Sequence, residues 1–371
     1  MNNRSAPTQI AFAILPILIS LLITAGLILA IGADPRAVFE KVWEGAFRDT
    51  NTLAQVFNFW IPLTLAGIGL VITFTAGLWN IGVEGQMVMG AVFASWVALQ
   101  FPLPPLLLVP VELIFAMVGG ALWAALVGVL KIRLGVHEIF GGVALNALAN
   151  VVSLYLISGP WQPPEGGSVR ATPPFPADAL LPPMAANFQV NLLMLIFTVA
   201  AVVGVFLILR GSRWGLQLKA TGKNPRSALL LGVPTGRSAM SAFIACGLLA
   251  GLAGSYRVLF TYGNLRPLVS GGIGFLGVLI VLLVSTRALW VPLVAFIFAA
   301  ILSGSGRLKI ALQIDASLAG VLQGVLVLTV LLFNGLRQRL QERQPAASNE
   351  AFKPVASPAA DESLQTEVAH E

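Results

Sequence analysis

The stretch GLWNIGVEGQM, Gly77 to Met87, decides how this chain is read. No charged residue occurs from Thr50 to Val83, and after Glu84 none occurs until Glu112. Three glycines, two amides and a carboxylate therefore interrupt what would otherwise be a hairpin of membrane helices. Each glycine weakens a helix by about 0.8–1 kcal/mol relative to alanine. An acid at the centre of a spanning helix costs about 2.5–3.5 kcal/mol. Asn80, Glu84 and Gln86 are thus poor choices for a lipid face. Two readings fit. One is a cytoplasmic turn with Glu84 at a helix N-terminus, where the helix dipole favours a carboxylate. The other is a broken or re-entrant helix whose polar groups line a path, since non-helical backbone at membrane depth must be buried in protein or face a watery cavity.

Composition supports a membrane setting. The chain has 371 residues, 57% apolar and 10% charged, against roughly 25% charged in an ordinary soluble domain. Mean hydropathy is +0.86. The net charge of +6 points to membrane topology and anionic lipid, because no basic groove interleaved with aromatics suggests nucleic acid. The single cysteine, Cys246, excludes an internal disulfide. Arg4 precedes a long uncharged run with no small-residue cleavage site, which reads as a retained signal anchor.

With about 20 apolar residues per span, ten spans are expected, near 9–31, 52–76, 86–101, 105–130, 139–158, 191–209, 238–259, 270–286, 289–303 and 316–334. The expected fold is all-α and polytopic, with broken or re-entrant segments. With the N-terminus inside, fourteen of the 22 Lys and Arg residues fall on the cytoplasmic side, which favours both termini inside. Residues 1–336 form the expected membrane domain. Within it, 32–50 reads as an external amphipathic segment lying on the membrane surface. Residues 159–189 hold eight of the 23 prolines and read as an irregular external loop. Residues 337–371 read as a disordered cytoplasmic tail.

Three further segments carry polar or glycine-rich signals. SGGIGFLG, Ser270 to Gly277, places Gly271, Gly272 and Gly274 at the start of the eighth expected span. Paired glycine-broken segments mark transport sites in other transporters, while close helix packing through small residues explains the pattern equally. Asn146 and Asn150 share one face of the fifth span, as partners of neighbouring helices or as part of a solute path. Glu138 reads as an ion-pair or helix-terminus residue beside Lys131 and Arg133. The basic loop 210–237 contains KNPRSALLLG, a short helix with Asn224 as cap, Pro225 in the first turn and Gly232 at the end. Its apolar and basic groups suit a protein partner or anionic lipid. Its GKNPRS sequence lacks phosphate-loop spacing.

GLWNIGVEGQMVMGA, HEIFGGVALNALAN and ATGKNPRSALLLGVPTGR together resemble the permease subunits of bacterial ABC importers for nucleosides and simple sugars. That branch of the ribose and branched-chain amino-acid permease superfamily works with basic-membrane-protein type receptors. The resemblance spans about residues 8–335. It implies a permease in the bacterial inner membrane that binds no cofactor itself, with ATP and Mg on a separate cytoplasmic ATPase. It also implies a second permease, homologous or identical, and an extracytoplasmic lipoprotein that delivers solute. Asn80, Glu84 and Gln86 match the signature near the translocation region, and Glu138 and Asn146 match the fifth-span pattern. Asn150, Gly271, Gly272 and Gly274 join them as the expected path. Gly222, Lys223, Asn224, Pro225, Arg226 and Gly232 become the expected ATPase-coupling segment. His137 stands where the family often has Asn, and VSTRALW keeps Arg287 without the usual flanking residues. Within the family, a ribose-type sugar or amino-acid permease is the alternative.

Two other classes compete. A proton-coupled transporter would use Glu84, Glu112 or Asp315. A membrane enzyme would need convergent catalytic groups, yet of the two histidines only His137 lies near a membrane segment.

Overall fold

The computed structural model describes residues 6–163, 171–315 and 317–342. Contacts divide the chain into two units, residues 1–330 and 331–371; the helices up to Val291–Leu312 belong to the first, and the helix Leu318–Glu342 runs across the boundary. The described residues form α1 (Ala6–Ala30), α2 (Pro35–Phe47), α3 (Thr50–Thr75), α4 (Val83–Gln100), α5 (Pro105–Leu134), α6 (Glu138–Ser158), α7 (Leu192–Gly211), α8 (Arg213–Lys223) and α9 (Pro225–Leu230). They continue with α10 (Thr235–Tyr256), a π-helical turn (Arg257–Tyr262), α11 (Ile273–Val284), α12 (Val291–Leu312) and α13 (Leu318–Glu342).

The all-α membrane character holds, but ten spans do not. Among the described residues six helices are long and apolar enough to cross: Thr50–Thr75, Leu106–Leu134, Glu138–Ser158, Leu192–Gly211, Thr235–Tyr262 and Ala288–Leu308. A seventh is possible only if Leu18–Ala30 and Pro35–Phe47, bent by 109°, count as one broken span. The physical reasons are local. In place of the third expected span stands α4, an 18-residue helix that carries Glu84, Gln86 and Ser95 and is mostly buried in protein. The eighth shrinks to α11, because the backbone at Gly271 and Gly272 has positive φ and the helix starts only at Ile273. Its twelve residues reach about 18 Å, short of a hydrocarbon core of about 30 Å. The tenth has a short apolar stretch, Leu318–Phe333.

The core is a cluster of α3, α4, α5 and α10, with α10 packed on the other three. Small residues allow this. A Cβ built on Gly251 would fall 2.1 Å from the carbonyl oxygen of Ala116 in α5, and one on Gly254 would fall 1.9 Å from that of Met87 in α4. Only glycine permits backbones to approach that closely.

The helix ends follow from sequence. Asp49 caps α3: its carboxylate accepts from Thr52 N at 2.8 Å, while Thr52 Oγ1 accepts from Asp49 N at 3.0 Å. The Thr52 amide holds the Asp49 carboxyl below its ordinary range. In the expected surface segment, α2 packs its Val38, Gly45 and Ala46 face, with a Cβ on Gly45 only 2.7 Å from Gly304 O in α12.

Of the proline-rich loop, residues 171–191 follow an irregular path apart from one 3-10 turn, Ala177–Ala179. Backbone bonds tie them to the π-helical turn and the glycine that follows it: Leu181 N to Leu259 O at 3.1 Å and Phe175 N to Gly263 O at 2.8 Å. Arg4, residues 164–170 and residues 343–371 of the expected tail lie outside the described residues.

Candidate translocation site

The interrupting stretch is a tight turn between two helices that are both buried in protein. Gly77 takes φ +74°, and Leu78 N donates back to Thr73 O at 2.9 Å, closing α3. The chain then runs inward. Asn80 and Gln86 are fully buried and face each other as a reciprocal amide pair. Gln86 Nε2 donates to Asn80 Oδ1 at 3.0 Å, and Asn80 Nδ2 donates to Gln86 Oε1 at 3.2 Å. Asn80 Nδ2 also reaches Cys246 Sγ at 3.1 Å.

Asn146 of α6 locks the same turn from outside. Its Oδ1 accepts from Gly85 N at 2.8 Å, and its Nδ2 donates to Ile81 O at 2.9 Å. Both readings of that residue meet here, because the amide bonds a neighbouring segment and thereby shapes the interruption. Asn150 donates to Asn146 O at 3.1 Å on the same helix, and its Oδ1 is buried without a hydrogen-bond partner. Glu138 forms an ion pair with Lys131 at 2.6 Å, the structural role expected of it.

Glu84 connects the two glycine-broken segments. Its carboxylate accepts from Ser270 Oγ at 2.5 Å, Gly272 N at 3.0 Å and Gly274 N at 2.7 Å. Those amides open α11, where donors lack helical partners and a negative charge is favoured. A Cβ on Gly274 would lie 2.6 Å from Glu84 Oε2 and 2.8 Å from Glu84 N. Gly274 is therefore required for the approach, while Gly271 and Gly272 are required for the turn. The structure thus brings Glu84 together with Gly272 and Gly274, and Asn80 with Gln86. Asn146 braces the turn from α6, while Asn150 bonds only within its own helix.

The second predicted cluster forms its own unit. Asn224 Oδ1 caps α9 by accepting from Ser227 N at 3.1 Å; Pro225 takes its first position. Gly232, at φ +81°, follows its end. Ala228 is buried, while Leu229, Leu230 and Leu231 are exposed, Leu230 by 89%. The two clusters touch through Gly222. A Cβ there would fall 2.2 Å from Thr75 O and 2.9 Å from Gly77 N. The loop bearing α9 is thus seated on the turn that leads to Asn80 and Glu84. Beside this contact Arg210, Lys219, Lys223 and Arg287 line a cavity of about 610 Å³.

One buried cation was not singled out in the sequence. Arg257 is 3% exposed, at the start of the π-helical turn. Its Nε donates to Val269 O at 3.3 Å, and a terminal nitrogen donates to the Tyr262 hydroxyl. The guanidinium carbon stands 5.4 Å from the Phe59 ring centre and 4.6 Å from that of Tyr262. The available signal was an arginine inside the apolar run GSYRVLFTY. Among the described residues no group of three or more His, Cys, Asp or Glu is arranged to hold a metal.

A family model described as branched-chain amino acid transport system / permease component matches residues 52–331. A glucose ABC transporter permease protein of Haloferax volcanii is 29% identical, covering 89% of each chain. A guanosine ABC transporter permease protein of Bacillus subtilis is 27% identical, over 85% of this chain and 91% of that one. A nucleoside ABC transporter permease protein of Lactococcus lactis subsp. cremoris is 26% identical, over 82% and 85%. No solved structure matches the chain.

Proposed function

This chain belongs to the family of branched-chain amino acid transport system permease components, and from that premise we propose that it carries a nucleoside or a related simple sugar across the bacterial inner membrane. It is a multi-pass permease rather than an enzyme. ATP hydrolysis falls to a separate cassette ATPase, and delivery to an extracytoplasmic lipoprotein. A second permease, homologous or identical, completes the membrane part. The glucose, guanosine and nucleoside permeases of Haloferax, Bacillus and Lactococcus support this solute class.

One observation carries the coupling: Gly222, two residues before the Asn224 cap, lies against the backbone of Thr75 and Gly77. Loop 210–237 faces the cytoplasm in this reading, because it is the densest basic loop. Both termini are assigned to the same side in this proposal. The exposed leucines of α9 seat in the ATPase. Closure of two ATPases displaces α9. That motion passes through Gly222 to the Gly77 turn and the Asn80–Gln86 pair, then through Glu84 to α11. The permease alternates between inward- and outward-open states. A ligand shifts such an equilibrium only by its differential affinity for the two states, so the receptor supplies most of the specificity.

Uptake of labelled guanosine and pentoses into vesicles holding the complete complex tests the proposal. The expected result is ATP-dependent nucleoside uptake that other nucleosides compete. Pentose uptake alone moves the substrate to the sugar alternative within the same proposal. Uptake that follows a proton gradient and ignores ATP overturns it.

A further inference from the structure

We infer that the chamber beside Arg257 is where this permease contacts its solute, and that it takes an uncharged, hydroxyl-bearing ring compound. The inference rests on the transport reading above and adds a site to it. The chamber has a volume of about 710 Å³, within the range of about 300–1,000 Å³ usual for small-molecule sites. Its walls come from α3, the proline-rich loop, the π-helical turn and α12. Asn58, Arg257, Tyr262 and Ser303 supply polar groups, and Phe59 and Phe260 supply aromatic surface.

A buried guanidinium normally has an acid beside it, because an unpaired buried charge is costly. Among the described residues no carboxylate lies within ion-pair distance of Arg257. Its bonds to Val269 O and the Tyr262 hydroxyl engage two of its five N–H groups. The planar fork therefore has donors left for acceptors entering the chamber. Ser303 Oγ is also buried without a hydrogen-bond partner. Asn58 is fixed by Tyr256, whose hydroxyl donates to its Oδ1 at 2.6 Å, and by its own donation to Gln189 O at 3.0 Å. Short π-helical segments recur at functional sites because they re-aim side chains. Here the segment carries both Arg257 and Tyr262.

The lining selects the solute class. Arg257 holds Val269 O on one side of the 269–274 turn, while Glu84 holds Ser270, Gly272 and Gly274 on the other. A guanidinium and a carboxyl group are thus both tied to a single turn. A neutral ring offers oxygens to the guanidinium and a flat face to the aromatic rings. Occupancy of the chamber thereby bears on the same turn that positions α11.

The test uses the full complex in vesicles. Wild-type uptake of labelled guanosine, a pentose and leucine is measured first and tests the transport reading separately. Arg257→Gln should lower ATP-dependent uptake about tenfold or more, as expected for loss of charge-assisted hydrogen bonds. Arg257→Lys should be nearly as impaired, since it keeps charge but loses the planar fork. Gln55 is exposed and lines the chamber, and the native Cys246 is fully buried, so Gln55→Cys gives a thiol that can be labelled selectively. Guanosine present during turnover should slow that labelling severalfold. Uptake by Arg257→Gln within twofold of wild type overturns the assignment, as does labelling that saturating solute leaves unchanged. Should the wild type carry leucine alone, the neutral-ring class is overturned even where leucine protects the thiol.

Discussion

Glu84 Oε2 lies 2.7 Å from the amide nitrogen of Gly274, so the carboxylate of one broken segment caps the helix that begins in the other. These residues are 190 apart in sequence. The bond converts two glycine-rich interruptions into one mechanical joint. Removing the carboxylate leaves Ser270 Oγ and two backbone amides without their acceptor, at about 1–3 kcal/mol for each buried group left unsatisfied. Glu84→Ala is expected to abolish ATP-dependent uptake while the complex still assembles, as read by subunit co-purification. Glu84→Gln, which keeps one acceptor oxygen, should retain part of the activity. Normal uptake by the alanine variant would remove Glu84 from the site.

Gly274 and Gly272 separate steric from conformational demands. Alanine at 274 meets Glu84 Oε2 at 2.6 Å, whereas alanine at 272 meets nothing within 4 Å but must take φ +78°. The second cost is about 1–2 kcal/mol. Gly274→Ala should therefore be the more damaging in melting temperature and uptake. The reverse order would show that the Glu84 contact contributes less than the turn itself.

The cytoplasmic loop makes a different prediction. Replacing Asn224, Pro225 and Arg226 by Gly and Ser removes the cap and the preset first turn of α9. ATPase activity should then continue without solute uptake. Gly222→Ala should uncouple in the same sense, because its Cβ would fall 2.2 Å from Thr75 O. Transport per ATP hydrolysed measures both, and an unchanged ratio would deny the loop its docking role.

Acid tests the start of α3. The Asp49 carboxyl is held below its ordinary value by the Thr52 amide. A lowered value in the folded state stabilises the fold fully above the unfolded value, near 3.8. That contribution is lost as pH falls through the folded value. Asp49→Asn keeps the cap oxygen but not the titration. The difference in melting temperature between wild type and variant should be flat down to about pH 5 and vanish on further acidification.

Much of this molecule was legible in the sequence because its signals are local. Asn224, Pro225 and Gly232 announce α9 by capping chemistry, and the structure places them at its cap, first position and end. The polar residues of GLWNIGVEGQM announced that the hairpin was interrupted. The number of spans was not legible, because apolar composition does not distinguish a helix facing lipid from one buried in protein. The helix α4 is of the second kind, and α11 is cut short by its turn. Nor could sequence show that Glu84 meets Gly274, since the pairing depends on how α4 and α11 pack. Arg257 was not singled out in the sequence. Its burial follows from the π-helical turn, which periodicity does not reveal.

The glycine seam of α10 has a kinematic consequence. With Gly251 against Ala116 and Gly254 against Met87, backbone touches backbone and no side chain stands between to repack. Sliding or rotation at such a contact collides at once, so α4, α5 and α10 form a keel that travels as one piece. Any change of access must then be made by what is hung on that keel. Within the 269–274 turn, Gly272, where an added Cβ would meet nothing within 4 Å, is a place where a hinge has room to work.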